Sequence, residues 1–262
     1  MSGDRPESKK RPLLKLKEGV IYGPVNSRRL GKSLGMNLLP CKIKVCSFDC
    51  IYCQYGPTRR KMIIPEPGIF PPMDDIMSEI ERALKEKEGL DYITFSGNGE
   101  PTLHPSFGRI VEETVKLRDR ITPEVPTAIL TNSSRLSEKE ISRAVSLLNK
   151  PIAKLDTGDA DTFRKINRPH PAVDFNKMLD GIRTMKNITI QSVLFDGPVS
   201  NSKGGNLEKL IEAMSYTEPV EVQIYTTIRP VPSASILQVP MKRLHEIASL
   251  MQKRLQVPVM VY

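Results

Sequence analysis

Three cysteines fall within eight residues, in Val45-Cys-Ser-Phe-Asp-Cys-Ile-Tyr-Cys-Gln54, with the spacing Cys46-x3-Cys50-x2-Cys53. Three thiolates so placed can hold three corners of a cuboidal iron–sulfur cluster and leave its fourth iron without a protein ligand. An open metal position is where a substrate or cofactor can be activated. Cys41 is the one further cysteine in the chain. It reads as a small buried hydrophobe, with a four-cysteine zinc or ferredoxin-like site as the alternative. Tyr52 stands inside the triplet, either shielding a cluster and packing on a ligand or simply filling the core.

Other polar groups recur at intervals along the chain. Gly97-Asn98-Gly99-Glu100 has glycines that permit positive φ and bring backbone close to a ligand, and Glu100 could accept hydrogen bonds from a cationic amino group. The plainer reading is a tight turn with an acid favourably placed before a helix. Asn132-Ser-Ser134 could reach ribose hydroxyls or could cap the next helix. Lys154, Asp156, Gln191 and Ser192 add polar groups at two further strand-like runs. His104 reads as a capping or loop histidine before a metal or acid–base group. Arg28, Arg29 and Arg168 can each pair with an anion or lie on the surface.

The elements that must position these groups alternate. Strand-like runs occur at Ser33–Leu39, Tyr92–Ser96, Thr127–Thr131, Ile152–Asp156, Ile188–Leu194 and Val220–Tyr225, short and rich in Ile, Val, Thr or Tyr as buried parallel strands are. Between them, helical spacing marks Asp74–Lys87, Phe107–Leu117, a stripe through Ile141, Val145 and Leu148, then Phe175–Met185, Leu207–Met214 and Met241–Leu255. Repeated βα units with right-handed crossovers make a parallel sheet. Six units are too few for a closed eight-stranded barrel, so the expectation is an α/β fold, a partial (βα)6 TIM-like open barrel. Its functional loops then lie at the carboxyl ends of the strands. Residues 1–18 carry no apolar period and are expected as a flexible basic arm; residues 19–262 are expected as one domain ending in a helix and a strand.

With 262 residues, 39% hydrophobic composition and no long apolar run, the chain reads as soluble, without a membrane span and cytoplasmic. Clustered cysteines in that compartment point to metal before disulfides. The formal charge of +9 favours an acidic partner, RNA first, though it also suits an ordinary lysine-rich surface. Aromatics are 5% with no Trp, so no base-stacking platform is evident.

Taken together, the triplet, Tyr52 and Gly97-Asn-Gly-Glu-Pro101 resemble the radical S-adenosylmethionine (radical SAM) superfamily over about Gly23 to Arg229. Gly23-Pro-Val-Asn-Ser-Arg-Arg-Leu-Gly-Lys-Ser-Leu-Gly35, Phe95–Pro105 and Leu155-Asp-Thr-Gly158 are similar to its wyosine-synthase-related Fe–S oxidoreductases. The resemblance implies that Cys46, Cys50 and Cys53 ligate a [4Fe-4S] cluster whose open iron chelates S-adenosylmethionine. Reductive cleavage then yields a 5′-deoxyadenosyl radical that abstracts hydrogen from a substrate. It further implies that Gly97, Asn98, Gly99 and Glu100 hold the methionyl amino group. Asn132 and Ser192 would reach the ribose or carboxylate, with Tyr52 near the adenine. A flavodoxin- or ferredoxin-type electron donor and a substrate that could be tRNA complete the implied partners. Archaeal wyosine synthases hold a second cluster with N-terminal cysteines; residues 1–40 here have none, so a single cluster is expected. The alternatives are a non-catalytic Fe–S or zinc protein, or radical chemistry on a protein or small metabolite.

Overall fold

The computed structural model describes residues 12–66 and 68–262. Of the arm expected over 1–18, residues 1–11 lie outside the described residues. Residues 12–18 are not free: Leu14 N–H donates to Gln54 O, and Lys17 N–H donates to Asn98 Oδ1 at 2.7 Å, pinning this stretch against the cysteine loop.

The chain opens with an antiparallel pair, β1 (Ile21–Ser27) and β2 (Gly31–Met36), followed by the short β3 (Val45–Cys46) and β4 (Arg60–Lys61). Alternation then sets in: α1 (Met73–Glu86), β5 (Tyr92–Phe95), α2 (Phe107–Ile121), β6 (Thr127–Thr131), α3 (Lys139–Val145) and β7 (Lys150–Lys154). Two helices follow, α4 (Ala160–Ile166) and α5 (Phe175–Arg183), before β8 (Thr189–Asp196), α6 (Gly204–Thr217) and β9 (Glu221–Thr226). The chain closes with β10 (Leu237–Gln238), α7 (Met241–Leu255) and β11 (Val259–Val261).

In the main sheet the order is β1-β2-β5-β6-β7-β8-β9-β11, with every pair from β2 onward parallel and β10 added to β8. This is the expected open barrel of six βα units, with β11 as one further parallel strand. The path ends at β1 on one side and β11 on the other, so the barrel has two edges.

Side-chain alternation separates two environments. Ile190, Leu194, Ala153 and Ile224 face the helices, where Ile80, Ile110 and Leu210 meet them in the main core. Each such fully buried aliphatic contributes about 1.5–3 kcal/mol. Ile152, Ala128, Val193 and Phe195 face the barrel interior.

Two elements escape the periodic pattern. Gly23 and Pro24 interrupt β1, and its register shifts between Tyr22 and Val25. Its partner Gly35 is obligatory, because a Cβ there would fall 2.1 Å from the Tyr22 ring. Helix α4 is only seven residues long; it starts because Asp159 accepts from the N–H groups of Asp161 and Thr162.

Candidate functional site

The cysteine loop leaves the carboxyl end of β2 and is clamped to the Gly97–Glu100 turn that leaves β5. Val45 N–H donates to Asn98 O, and Glu100 N–H donates to Val45 O at 3.1 Å. The clamp needs bare backbone: a Cβ on Gly99, at φ +152°, would sit 1.7 Å from Val45 O. Gly97 is equally confined, with Asn37 Oδ1 2.4 Å from its would-be Cβ. On the other side, Asp49 N–H and Ile51 N–H donate to Asn167 O and Ile166 O, tying the loop to the end of α4.

This frame turns each of the three thiols toward a different side-chain N–H donor. Asn132 Nδ2, after β6, lies 3.4 Å from Cys46 Sγ. Asn167 Nδ2, after α4, lies 3.5 Å from Cys50 Sγ. Lys44 Nζ lies 3.0 Å from Cys53 Sγ and donates to Gly56 O at 2.7 Å. Burial drives the Cys50 thiol up to about 12 and raises Cys46 as well. These thiols therefore hold their protons at neutral pH until a metal displaces them. Burial disfavours the Lys44 ammonium, but the charge that Cys53 and Cys46 carry as thiolates outweighs it and raises its pKa.

The donor set suits an iron–sulfur cluster: thiolates for iron, with N–H groups to stabilise the sulfur charge. Among the described residues no three His, Cys, Asp or Glu side chains gather around a single ion. A cuboidal cluster spaces its cysteines wider, because iron and sulfide stand between them. Cys41 lies outside this arrangement; its sulfur is 3.9 Å from Asn37 Nδ2. Lys44 supplies a positive charge against a cysteine sulfur, so Lys44→Met is expected to lower the midpoint potential of the reconstituted cluster by on the order of 100 mV. An EPR-monitored redox titration reads this directly, and an unchanged potential would remove Lys44 from that role.

The other expected residues divide by what their side chains already do. Glu100 is buried, and its carboxylate accepts from Thr102 N–H, the hydroxyls of Thr102 and Thr131, and Asn132 N–H. It braces the turn to β6 and thereby aims Asn132 at Cys46. Burial still raises its pKa, against the lowering effect of those donors. Asn98 is also buried, its amide spent on Lys17 and Pro40 backbone. Asn132 also donates to Ser47 Oγ at 2.8 Å.

Ser192 corrects the sequence reading. It lies on the helix-facing side of β8 with Ile190 and Leu194, is fully buried, and donates to Leu155 O at 2.7 Å. Its neighbours Gln191 and Val193 face inward, since adjacent strand residues point to opposite faces.

Tyr52 points into the barrel, where its hydroxyl donates to Asp156 and accepts from Asn167 Nδ2. Asp156 also pairs with Lys154 at 2.9 Å and accepts from Val193 N–H. Burial and then the Asp156 charge raise the Tyr52 pKa, so it remains a donor. Asn167 and Lys44 are residues the sequence reading missed; Asn167 follows an undetected helix, and nothing in Ile-Asn-Arg-Pro marks it.

His104 holds the turn rather than a ligand. Its Nε2 donates to Pro71 O and its Nδ1 accepts from Ser106 N–H, which requires the neutral ring. Burial lowers its pKa below the ordinary 6.5. Stability from the neutral ring is thus full above that value and is lost as the pH falls. Thermal melts at pH 7.5 and 5.5 are expected to show a larger acid loss for the wild type than for His104→Gln.

The family model described as the Radical SAM superfamily matches residues 42–199, the stretch that carries both the cysteine loop and the Gly97–Glu100 turn. The chain belongs to the radical SAM superfamily. Radical SAM enzymes use a [4Fe-4S] cluster and S-adenosylmethionine, so this chain is a radical SAM enzyme of SAM-cleaving chemistry. A UPF0026 protein of Methanocaldococcus jannaschii is 34% identical over 84% of this chain and 67% of its own length. A Brachyspira hyodysenteriae protein named GTPase Obg is also 34% identical, over 82% of this chain but only 31% of its own length. The radical SAM fold recurs in a structure of TYW1 with a lysine-pyruvate adduct bound: TM-score 0.61, 15% identity, 84% of this chain and 73% of that one. No helix among the described residues is long and apolar enough to cross a membrane.

Proposed function

We propose that this chain generates a 5′-deoxyadenosyl radical at one cluster and uses it to abstract hydrogen from a substrate held inside the barrel. The observation that carries the reading is that each of the three cysteine sulfurs of one loop faces a side-chain N–H donor from a separate segment. Cys46, Cys50 and Cys53 are the proposed cluster ligands. When bound and reduced, the cluster supplies the electron that cleaves S-adenosylmethionine.

The chain's own residues then orient and exclude. Gly97 and Gly99 offer backbone without Cβ to the methionyl amino group, and Glu100 keeps that turn and Asn132 in place. Asn132 lies next to Cys46 and can reach the cofactor's polar end. Tyr52, held by Asp156 and Asn167, forms a fixed wall beside Cys50. Water exclusion follows from the interior packing of Val193, Phe195, Ile51 and Tyr225 around it.

A reducing donor needs a route to the cluster. A cleft of about 760 Å³ is lined by Lys61, Arg164, Arg168 and His170 against one acid, Asp174. It abuts the cysteine loop through the Phe48–Pro169 bridge. Its basic lining favours an acidic flavodoxin or ferredoxin there. The charge of +9 leaves tRNA as a second reading of the substrate; retention of bulk tRNA that weakens steeply with salt would support it, and no binding at low salt would count against it.

The deciding experiment is anaerobic reconstitution, dithionite reduction and addition of S-adenosylmethionine, with assay for 5′-deoxyadenosine. Formation of the nucleoside supports the reading. A full, reducible cluster that yields none would sink it.

A further inference from the structure

The turn between β1 and β2 folds into the barrel. Ser27 Oγ accepts from the N–H groups of Arg29 and Leu30, and Leu30 packs against Ala128 and Ile152 on the interior faces of β6 and β7. This carries Arg29 across the open side of the barrel, from the β1 edge to the β11 edge. Its guanidinium carbon lies 4.3 Å from the ring centre of Tyr225 and 5.1 Å from that of Tyr262. Lys154 Nζ approaches the same Tyr225 ring at 4.9 Å and the Tyr225 hydroxyl at 3.3 Å.

The two cations differ in one respect. Lys154 has Asp156 as its counter-ion. Arg29 forms no ion pair among the described residues, and its Nε and Nη2 are both buried without a hydrogen-bond partner. Burial lowers its pKa, and its neighbour Arg28 adds repulsion. A buried donor left unpaired costs stability, and a charged one costs more. Nε and Nη2 are also not an arbitrary pair: they form the edge of the guanidinium that grips two oxygens in parallel.

We infer that the Nε–Nη2 edge of Arg29 is the anchor for a carboxylate group of the substrate, which makes that substrate a small organic acid. A flat carboxylate meets that edge with two parallel hydrogen bonds and needs less room beside rings 4.3 and 5.1 Å from the guanidinium carbon than a tetrahedral phosphate does. Lys154, on the same Tyr225 ring, is already neutralised by Asp156, which leaves Arg29, of the two, as the cation free to take the anion. Arg29, Tyr225, Lys154, Asp156, Tyr52 and Cys50 form a chain of side-chain contacts, so a molecule anchored at Arg29 would lie on the interior side of the barrel that leads to Cys50. The inference rests on the reading of the barrel interior as the reaction chamber.

The test uses the full chain, reconstituted and supplied with S-adenosylmethionine, titrated calorimetrically with acetate, lactate, succinate and inorganic phosphate. Saturable binding of at least one carboxylate, tighter than phosphate, is expected. It should weaken roughly ten- to hundredfold in Arg29→Met, which keeps the apolar stem but loses the fork. Arg29→Lys keeps the charge without the fork, should lose most of the binding too, and serves if the methionine variant does not fold. No saturable carboxylate binding, equal binding by the variants, or preference for phosphate overturns the inference. Failure of the radical reading looks different: carboxylate binding that depends on Arg29, in a protein that yields no 5′-deoxyadenosine.

Discussion

Cys50→Ala is expected to abolish both the charge-transfer absorbance of the reconstituted protein and the formation of 5′-deoxyadenosine, down to the level of a no-enzyme control, while the barrel remains folded. The two halves of this result have separate causes. Cys50 only flanks the main core as a partly buried side chain, and the loop around it is held by main-chain bonds from Ile51 to Ile166, from Cys53 to Cys50 O and from Gly56 to Cys53 O. None of these needs the sulfur. The cluster does, because only Cys46 and Cys53 would remain in the loop, and Cys41 lies instead beside Asn37, 3.9 Å from its Nδ2. Far-ultraviolet circular dichroism and a thermal melt of the metal-free variant measure the first half; absorbance, iron content and product assay measure the second. A variant that still cleaves S-adenosylmethionine would remove Cys50 from the proposed ligand set.

Gly99→Ala is expected to act in the opposite order, through the fold first and the chemistry second. The added Cβ would meet the Val45 carbonyl oxygen at 1.7 Å, and the residue sits at φ +152°, where a side chain is strained regardless of space. Relief requires the β5 turn to part from the cysteine loop, breaking the Glu100–Val45 and Val45–Asn98 bonds. The expected loss is about 3 kcal/mol of stability, with poor cluster loading even where the chain is still folded. Gly205→Ala is the control: nothing lies within 4 Å of its would-be Cβ, and it is the second residue of α6. It should be neutral or stabilising by about 0.4–1 kcal/mol. Urea melts of the metal-free proteins read both, and a Gly99→Ala protein as stable as wild type would show that the clamp yields without cost.

Much of this arrangement was legible before any coordinates. The βα alternation was readable because parallel strands are nearly all apolar and the helices between them keep a 3.6-residue stripe; Ile76, Ile80 and Leu84 are buried on α1 as that stripe requires. The cysteine triplet and the Gly-Asn-Gly-Glu turn were readable because their chemistry is local: close sulfurs share a cluster, and glycine pairs mark close backbone approach. Strand β1 was hidden by Gly23 and Pro24; α4 is no shorter than α3, but its apolar positions end at Ile166, whereas the α3 stripe runs on to Leu148 beyond the helix.

What the sequence by itself determined is the kind of fold and the family, with three cysteines in the loop that follows β2. Only the tertiary structure decided which polar groups face inward. Ser192 and Gln191 are adjacent in sequence, yet the pleat sends one to the helices and the other to the chamber. Asn167 reaches Cys50 across 117 positions, and Arg29 reaches Tyr225 and Tyr262 from the far edge of the sheet. Such meetings depend on strand register and on how far the barrel curls. Both are set by the packing of the whole sheet against its helices, so no local stretch of sequence encodes them.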